Sequence, residues 1–304
     1  MHAPKLLTHS PPPAAVVTVA AWHCPAAPPA TIVVSRRARI IRPSAAASTV
    51  TAEAAQLLLR ESGLRSESLP RHVGVVIDGH SRWARARGLS VSEGHAAGRP
   101  VLERMVRLSR AWGIRALTVF VCSHENMTRP KAEVDFLLQL YEGFIRDNLD
   151  EFCREGIRLH LIGDSPGRPS SLLSAASEAH EATRSNSAMV LMLAIGYSGR
   201  RDVLRACREL AAEARRGRLR PEDIDEALVA GRLGTSVAAG GGLSCPDLVI
   251  RTGGEQRLSN FLLWQSAFAE LVFPDVMWPD FGEDDYLRAL RTYQSRDRRF
   301  GQRK

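Results

Sequence analysis

Short runs of apolar residues recur along the chain from residue 73 onward, separated by longer stretches with a helical repeat. Six of these runs predict strands, at residues 73–77, 115–121, 157–162, 189–195, 247–251 and 270–273. The runs are continuous and do not alternate with polar residues, which is typical of strands that are covered on both faces.

Between these runs, apolar residues recur every three or four positions, which predicts amphipathic helices. The longest predicted helices cover residues 99–112, 131–155 and 200–216, and a glycine follows each of them. Strands that alternate with helices are joined by crossovers, so the strands are expected to be parallel. The pattern therefore predicts an α/β fold, a single domain over about residues 70–295 with a central parallel sheet flanked by helices.

The N-terminal segment differs from this domain in composition. Residues 1–52 contain no Asp or Glu and are rich in Ala, Pro and Ser, with four arginines between Arg36 and Arg42. This composition is typical of a disordered organelle transit peptide, for which we expect a plastid, with the mitochondrion or the cytoplasm as alternatives. A disordered extension without a targeting function is the other interpretation.

Residues 53–69 are expected to form a lead-in helix or linker, and residues 296–304 are expected to form a C-terminal tail.

The net charge of +8 is concentrated at the N-terminus, because residues 1–52 contribute +5 and leave +3 for the rest. A body so close to neutral gives no reason to expect nucleic-acid binding. No apolar stretch is long enough to span a bilayer, so membrane contact is expected to be peripheral at most. The five cysteines show no metal-ligand spacing and are predicted to be reduced and mostly buried.

Polar residues cluster where the predicted strands end, and the carboxyl ends of parallel strands share the edge of the sheet at which ligands bind. Four arginines are therefore expected to converge there, beside glycine-rich turns whose N–H groups can bind anions. A guanidinium group matches phosphate oxygens with two hydrogen bonds, so a polyanion such as a diphosphate is the expected ligand. The arginines are Arg82, Arg129, Arg251 and Arg257.

A single carboxylate, Asp78, ends the first strand among these arginines. A divalent metal explains it most simply, with Mg²⁺ bridging the carboxylate to a phosphate while Gly79 lets the backbone approach. Taken singly, these residues have plainer interpretations: the aspartate as a helix N-cap, Arg129 as a surface residue, and residues 252–254 as a turn with positive φ. The combination favours a diphosphate site.

The helix predicted over residues 131–155 carries more apolar residues than packing on a sheet obviously needs. Core packing explains any one of them, but beside a diphosphate site the set predicts a hydrophobic tunnel for a lipid tail. The glycine-rich patch at 238–243 lacks the ending of a phosphate loop and is interpreted as a flexible connection. The apolar set is Phe136, Leu137, Leu140, Phe144 and Leu149.

From about His72 to Gly301, the chain closely resembles the cis-prenyltransferases, the family of undecaprenyl and dehydrodolichyl diphosphate synthases. The resemblance implies a homodimer that condenses isopentenyl diphosphate with an allylic diphosphate, in Z geometry and with Mg²⁺ as the cofactor. It rests on long motifs: "IDGHSRWA", "GHAAG", "SHENMTRP", "LIGD", "GYSGRRD", "DLVIRTGGEQRLSNFLLWQSAFAEL", "WPDF" and "RRFG".

Carried over by position, the resemblance implies that Asp78 is the catalytic, metal-binding aspartate and that Glu270 is a second metal-linked acid. Asn126 matches an asparagine proposed to assist proton removal, and His95 a histidine that helps the allylic diphosphate to leave. Residues 299–301 resemble a tail that reaches into the partner subunit's site.

The remaining motif residues are implied to bind substrate. Those matched to the allylic diphosphate are Gly79, Arg82 and Trp83, those matched to isopentenyl diphosphate are Arg251, Arg257 and Ser259, and those of the second loop are Ser123, Glu125 and Arg129. His80, Ser81, His124, Met127 and Leu258 complete the expected set.

Several positions depart from the family pattern. His80 and Ser81 replace the commoner Asn-Gly, and Met127 stands where many members carry an aromatic residue. Val91 occupies the position of a diphosphate-binding arginine in bacterial members. These departures bear on the choice and affinity of the allylic substrate and not on the reaction.

Two features bear on product length. Val121 is larger than the alanine common in longer-chain bacterial members, and the helix over 131–155 shows no insertion of the kind found in dolichol-type enzymes. Both favour a short- or medium-chain product. Gly143, in the same helix, favours the alternative of a longer, dolichol-length product.

Three other classes fit less well. Trans-type prenyl synthases carry DDxxD pairs, and the near match at 283–288 lacks the third acid. A non-catalytic partner subunit of a heteromeric prenyltransferase would be expected to lack the aspartate or the arginines. A nucleotide-binding enzyme would carry a P-loop or GxGxxG after the first strand, and neither is present.

Overall fold

The computed structural model describes residues 52–303, so the predicted transit peptide lies outside the described residues except for its last position. Six strands form one sheet, in the order β3-β4-β2-β1-β5-β6, with every neighbouring pair parallel. The predicted α/β fold with a central parallel sheet is therefore confirmed. The strands are β1 (His72–Val76), β2 (Ala116–Ser123), β3 (Ile157–Ile162), β4 (Met189–Tyr197), β5 (Leu248–Arg251) and β6 (Glu270–Val272).

Helices connect the strands and cover both faces of the sheet. The α-helices among the described residues are α1 (Ala52–Glu61), α2 (His80–Ala86), α3 (Val91–Ala111), α4 (Lys131–Arg154), α5 (Ser170–Thr183), α6 (Gly199–Arg215), α7 (Glu226–Gly231), α8 (Gly234–Ala239) and α9 (Glu283–Gln294). In residues 52–303 none of these helices has both the length and the apolar composition needed to cross a membrane.

Successive side chains of a strand point to opposite faces, so the strands feed two separate cores. The larger core takes Val73 and Val75 of β1 and packs them with apolar residues of α3 and α4. The smaller core takes Val76 of the same strand together with Phe261 and Leu262. Both faces of β1 are thus buried, which explains its unbroken apolar run.

Helix α3 begins earlier than its sequence predicts. The sequence pattern predicts a start at Arg99, but α3 begins at Val91 and runs through Pro100. Ser90 and Glu93 form a capping box that fixes this earlier start. The longer α3 carries His95 to the edge of the sheet.

The segment before β1 packs against the rest of the domain. Helix α1 buries Leu59, and the carbonyl of Ala55 accepts a 2.6 Å hydrogen bond from the Trp112 indole. The four described cysteines are all free, and only Cys122 is buried. The other three lie at exposed positions. The prediction that most of the cysteines are buried is therefore wrong for the described residues.

Candidate active site

A cavity of about 190 Å³ opens at the carboxyl ends of β1, β2 and β5. Its lining is mostly polar, and Phe120, Val121 and Leu137 are among the apolar residues that contribute to it. The parallel sheet brings together these predicted site residues at the cavity: Asp78, Gly79, His80, Ser81, Arg82, His95, Ser123, Asn126, Arg129, Arg251 and Ser259.

Asp78 and Arg251 form the centre of this site. The Arg251 Nη2 donates a 2.8 Å hydrogen bond to Asp78 Oδ2, and the arginine is only 4% exposed. Its Nη1 donates to the Arg257 carbonyl and to the Ser259 Oγ, both at 2.6 Å. Arg251 thereby fixes both the aspartate and the loop after β5.

Burial by itself would raise the pKa of Asp78, but its partners outweigh burial. The hydrogen bond and charge of Arg251, the N–H of Gly79 and the charge of Arg82 together hold this pKa below its ordinary value. Asp78 is therefore ionised throughout the neutral range and is available as a ligand for a cation.

Local backbone geometry sets the direction of Asp78. Gly79 has φ of 110°, a left-handed conformation, and a Cβ there would lie 2.8 Å from the Met277 Cβ. Its N–H donates a 2.6 Å hydrogen bond to Asp78 Oδ1, while Thr252 Oγ1 accepts from the Asp78 N–H at 2.9 Å. Only glycine fits the turn that aims this carboxylate into the cavity.

Arg82 lies one helical turn after Asp78, on α2. Its Nη1 donates a 2.8 Å hydrogen bond to the Gly253 carbonyl and lies 3.4 Å from a Glu255 carboxylate oxygen. Its Nη2 is 3.5 Å from Asp78 Oδ1. This side chain is 40% exposed, so it retains donors for an incoming anion.

The loop after β2 supplies the opposite side of the cavity. Ser123 and Asn126 hold each other: the Asn126 N–H donates to Ser123 Oγ at 3.0 Å, and Asn126 Oδ1 accepts from the Ser123 N–H at 3.2 Å. Arg129 follows and pairs with Glu133 at 3.0 Å. The side chain of Asn126 is thus held at the cavity wall.

Two buried histidines line the cavity beside Asp78. The rings of His80 and His95 lie 4.6 Å apart, and each Nε2 is buried without a hydrogen-bond partner among the described residues. Burial lowers the pKa of His80 to about 3 and the pKa of His95 to about 4. Gly98 makes room for them, since a Cβ there would lie 2.5 Å from His80 Nε2. Both imidazoles are therefore neutral at pH 7.

Some predicted site residues lie outside the cavity wall. Trp83 donates a 2.7 Å hydrogen bond to Asp280, and Glu125 accepts one of 2.9 Å from Asn260. The Arg257 side chain is 61% exposed and pairs with Glu255. His124, which bonds to Ser165, Met127, which contacts Cys122, and Leu258, which packs on the smaller core, also do not line it.

Glu270 is placed at the other end of the sheet. It opens β6 and pairs with Leu248 at the amino end of β5, whereas Arg251 lies at the carboxyl end of that strand. Its carboxylate lies 3.7 Å from Arg296. Within one chain, Glu270 and Asp78 do not share a cavity, so a metal linked to both would need Glu270 from a second chain.

The sequence assigns no role to three residues of the site. Thr252 bonds to both the N–H and the carbonyl of Asp78, and Glu255 pairs with two arginines. Asn260, at φ of 66°, donates to Glu125 and to Ser198 and so ties the loop after β5 to the loop after β2. All three lie in the long motif around Arg251, but nothing local in the sequence shows what they contact.

The donor set fits a Mg²⁺ that is held largely by phosphate. Among the described residues, no group of three or more His, Cys, Asp or Glu side chains is arranged to hold a metal on its own. Mg²⁺ is commonly held by one or two carboxylates together with substrate phosphates and water. Asp78 supplies one ionised carboxylate in the cavity that Arg82, Arg129 and Arg251 also line, which meets this requirement.

A comparison with protein families matches residues 76–301 to the family described as putative undecaprenyl diphosphate synthase. The chloroplastic dehydrodolichyl diphosphate synthase CPT5 of Solanum lycopersicum is 48% identical over 238 residues, which is 78% of this chain and 75% of that protein. The isoprenyl transferase of Bacillus subtilis is 43% identical over 242 residues, which is 80% of this chain and 91% of that protein.

A solved structure has the same fold. The lavandulyl diphosphate synthase of Lavandula x intermedia, crystallised in complex with dimethylallyl diphosphate, superposes with a TM-score of 0.74 at 43% identity. The superposition covers 78% of this chain and 100% of that one.

Proposed function

Because this chain belongs to the undecaprenyl diphosphate synthase family of cis-prenyltransferases, we propose that its cavity joins isopentenyl diphosphate to an allylic diphosphate. The product is a short- or medium-chain Z-polyprenyl diphosphate. The observation that carries this proposal is a single cavity that is lined both by Asp78, Arg82 and Arg251 and by the apolar Leu137. A molecule with a diphosphate head and an apolar tail matches both kinds of lining.

Asp78 and Arg82 would hold the allylic diphosphate, with the N–H of Gly79 beside them. Asp78 would hold a Mg²⁺ together with the diphosphate, and the ion would supply charge that stabilises the departing leaving group. The rings of His80 and His95 line the same cavity and are neutral at pH 7, so they add no positive charge beside the diphosphate. A lavender relative of this chain was crystallised with dimethylallyl diphosphate, which is an allylic diphosphate.

Arg251, Arg257 and Ser259 would hold isopentenyl diphosphate on the loop after β5. Arg257 is the exposed member of this set and can turn towards an incoming anion, whereas Arg251 is fixed by Asp78. Asn126, held by Ser123, would orient the reacting end of isopentenyl diphosphate. The carbon–oxygen bond of the allylic substrate breaks and releases diphosphate, and a carbon–carbon bond forms to isopentenyl diphosphate. The proton that is then lost passes to the departing diphosphate or to a water held by Asn126.

The protein is proposed to act as a homodimer. Around a cavity of about 670 Å³ next to the C-terminal tail, Trp264, Phe268 and Phe300 expose apolar side chains. An exposed apolar patch of this kind is typical of an interface. In a dimer, Arg299 and Glu270 would be available to the partner's site. Sedimentation equilibrium of a chain that begins at residue 50 tests this, and a monomer at micromolar concentration would contradict it.

The chain is proposed to work in a plastid. Two relatives from Solanum lycopersicum are named as chloroplastic, and their similarity covers 78% of this chain. Residues 1–52 have the acid-free, arginine-bearing composition of a transit peptide.

A product assay tests the reaction. The chain that begins at residue 50 is incubated with labelled isopentenyl diphosphate, Mg²⁺ and one allylic starter at a time, and the dephosphorylated products are separated by chromatography. We expect a ladder in the short to medium range that disappears when EDTA is added. No product from any starter would contradict the proposed reaction, and a ladder centred at dolichol length would contradict the proposed product class.

A further inference from the structure

Beyond Leu137, the side chains of α4 are closely packed and do not line the cavity. Leu137 of α4 lines the cavity, whereas Tyr141 and Phe144, one and two turns further along α4, are 2% and 0% exposed. The volume of about 190 Å³ is below the roughly 300–1,000 Å³ of pockets that enclose a drug-sized ligand. An isoprenoid tail that grows along α4 would therefore meet a closed wall after few units.

Ion pairs hold α3 and α4 together beside this wall. Arg107 on α3 donates two hydrogen bonds to Glu151 on α4, at 2.7 and 2.9 Å. Arg99, two turns earlier on α3, donates 2.6 Å to Asp147 on α4 and 2.9 Å to Glu103 on its own helix. These five residues are called the α3–α4 clasp below.

The clasp is partly buried and tied to the backbone. The side chains of Arg99, Glu103, Arg107 and Glu151 are 21 to 26% exposed, whereas that of Asp147 is 62% exposed. The two-bond pair of Arg107 with Glu151 is therefore the better ordered of the two interhelical pairs. Buried Asn148 adds a link, since its Nδ2 donates to the Phe144 carbonyl at 2.9 Å and to Glu103 at 3.4 Å.

Gly143 contributes to the clasp and not to the cavity. A Cβ at this position would lie 3.4 Å from Arg99 Nη1, so the guanidinium passes close over α4 here on its way to Asp147. Gly143 does not line the cavity. In this structure Gly143 therefore lies under the Arg99 guanidinium and not at the cavity wall.

The clasp lies beside the stretch of α4 that a longer product tail would have to pass. Arg99 and Arg107 are eight residues apart, which is about 12 Å along a helix, and Phe144 and Phe152 of α4 are buried over this stretch. A tail that passes Leu137 must move α4 away from α3 or from the sheet. The ion pairs of the clasp resist such a movement.

We infer that the α3–α4 clasp limits product length, by holding α4 against α3 below Leu137 so that the cavity cannot extend along the helix. The inference rests on the proposed function, because it concerns the space for the tail of that product. It assigns a specificity role to residues that do not line the cavity.

The experiment compares product length in clasp variants and in a matched control. Arg99→Met with Arg107→Met removes both interhelical pairs and keeps the apolar stems. Glu151→Gln keeps the size of that side chain and an oxygen that accepts a hydrogen bond. The control is Arg146→Met, since Arg146 on α4 pairs with Glu142 on its own helix and with Glu178 on α5.

We expect the double variant to lengthen the main product by at least one isoprene unit, and Glu151→Gln to broaden the distribution towards longer products. The initial rate of isopentenyl diphosphate consumption should stay within about threefold, because no group at the diphosphates has changed. Arg146→Met should leave product length unchanged.

The outcomes separate the two claims. A wild-type chain that makes no prenyl product contradicts the proposed function. If the wild-type chain is active and the folded clasp variants give products of wild-type length, only the role of the clasp is contradicted. The same holds if Arg146→Met lengthens the product as much as the clasp variants do. If circular dichroism shows that the double variant does not fold, the product length of Glu151→Gln is the test instead. A product length equal to that of the wild type would then contradict the role of the clasp.

Discussion

Arg251 donates a 2.8 Å hydrogen bond to Asp78 from a side chain that is itself buried, so the arginine and the carboxylate form one unit at the ends of β1 and β5. The carboxylate is oriented by protein charge before any cation or substrate arrives. Changes to either partner therefore test both the chemistry and the stability of the site.

Asp78→Asn is expected to reduce turnover about 100-fold or more at saturating Mg²⁺. The amide keeps the shape of the side chain but cannot supply charge to a metal, and lost stabilisation of a departing anion costs about 3 kcal/mol or more. Initial rates of isopentenyl diphosphate consumption measure it. Asp284→Asn, an exposed acid in the first turn of α9, serves as the control and should retain full activity. Unchanged turnover in Asp78→Asn would falsify the role of the aspartate.

Asp78→Ala is expected to lower the free energy of unfolding as well, by roughly 1–3 kcal/mol, because Arg251 would stay buried without its acid. Urea unfolding followed by circular dichroism measures the change. A variant as stable as the wild type would contradict the structural part of this pairing.

Arg257→Ala is expected to raise the KM for isopentenyl diphosphate about 10- to 100-fold, the range for losing a charge-assisted hydrogen bond. The KM for the allylic substrate should change less. Because the side chain is 61% exposed, stability should stay within about 0.5 kcal/mol of the wild type. Arg251→Ala should show the same KM effect together with a loss of stability. If both variants weakened only the allylic substrate, the division into two diphosphate sites would be wrong.

The stability of the protein is expected to fall as the pH is lowered from 6.5 to about 4. Burial lowers the pKa of His72 from 6.5 to about 4. In that window the unfolded chain binds a proton that the folded one does not, so acid favours unfolding, and above pH 6.5 the difference vanishes. One such group contributes a slope of up to about 1.4 kcal/mol per pH unit.

His72→Gln isolates this contribution from that of the other buried histidines. Glutamine can replace the 2.7 Å hydrogen bond to Thr118 but does not titrate. Unfolding free energies of both proteins, measured with urea at several pH values across this window, should differ in slope and not only in offset. Parallel curves would contradict the buried, neutral state of His72.

Val121→Ala is expected to lengthen the main product by about one isoprene unit, because the valine lines the cavity and its replacement enlarges the apolar space there. The smaller side chain deepens that space without touching the diphosphate groups. Chromatography of the dephosphorylated products shows the shift. An unchanged product distribution would contradict this prediction. It would indicate that product length is limited further along α4, at the level of Tyr141 and the clasp.

Residues 1–52 fused to a fluorescent protein are expected to direct it into plastids of plant cells, because the segment carries arginines and no acids. A fusion in which Arg36, Arg37, Arg39 and Arg42 are replaced by glutamine is the control and should import less well. A mitochondrial signal would show that the predicted compartment is wrong, and a diffuse cytosolic signal would refute the targeting role.

The sequence by itself determined the six strands, the long helices between them and the edge of the sheet at which the site lies. The run at 73–77 is unbroken because both faces of β1 are covered, and burial of this kind shows directly in a local pattern. Parallel strands place their carboxyl ends on one edge, so Asp78, Arg129 and Arg251 could be expected to meet before any contact was known. The long motifs indicated the family in the same way.

Only the tertiary structure decided which of these residues share a cavity and what each of them contacts. Arg251 binds Asp78 across 173 positions of sequence, Arg257 of the same loop stays exposed, and Glu270 lies at the far end of the sheet. Strand order and loop conformation set these distances, and both depend on packing between segments that are remote in sequence. For the same reason the sequence could show Gly143 as a small residue in α4, whereas its place under Arg99 is a property of how α3 lies against α4.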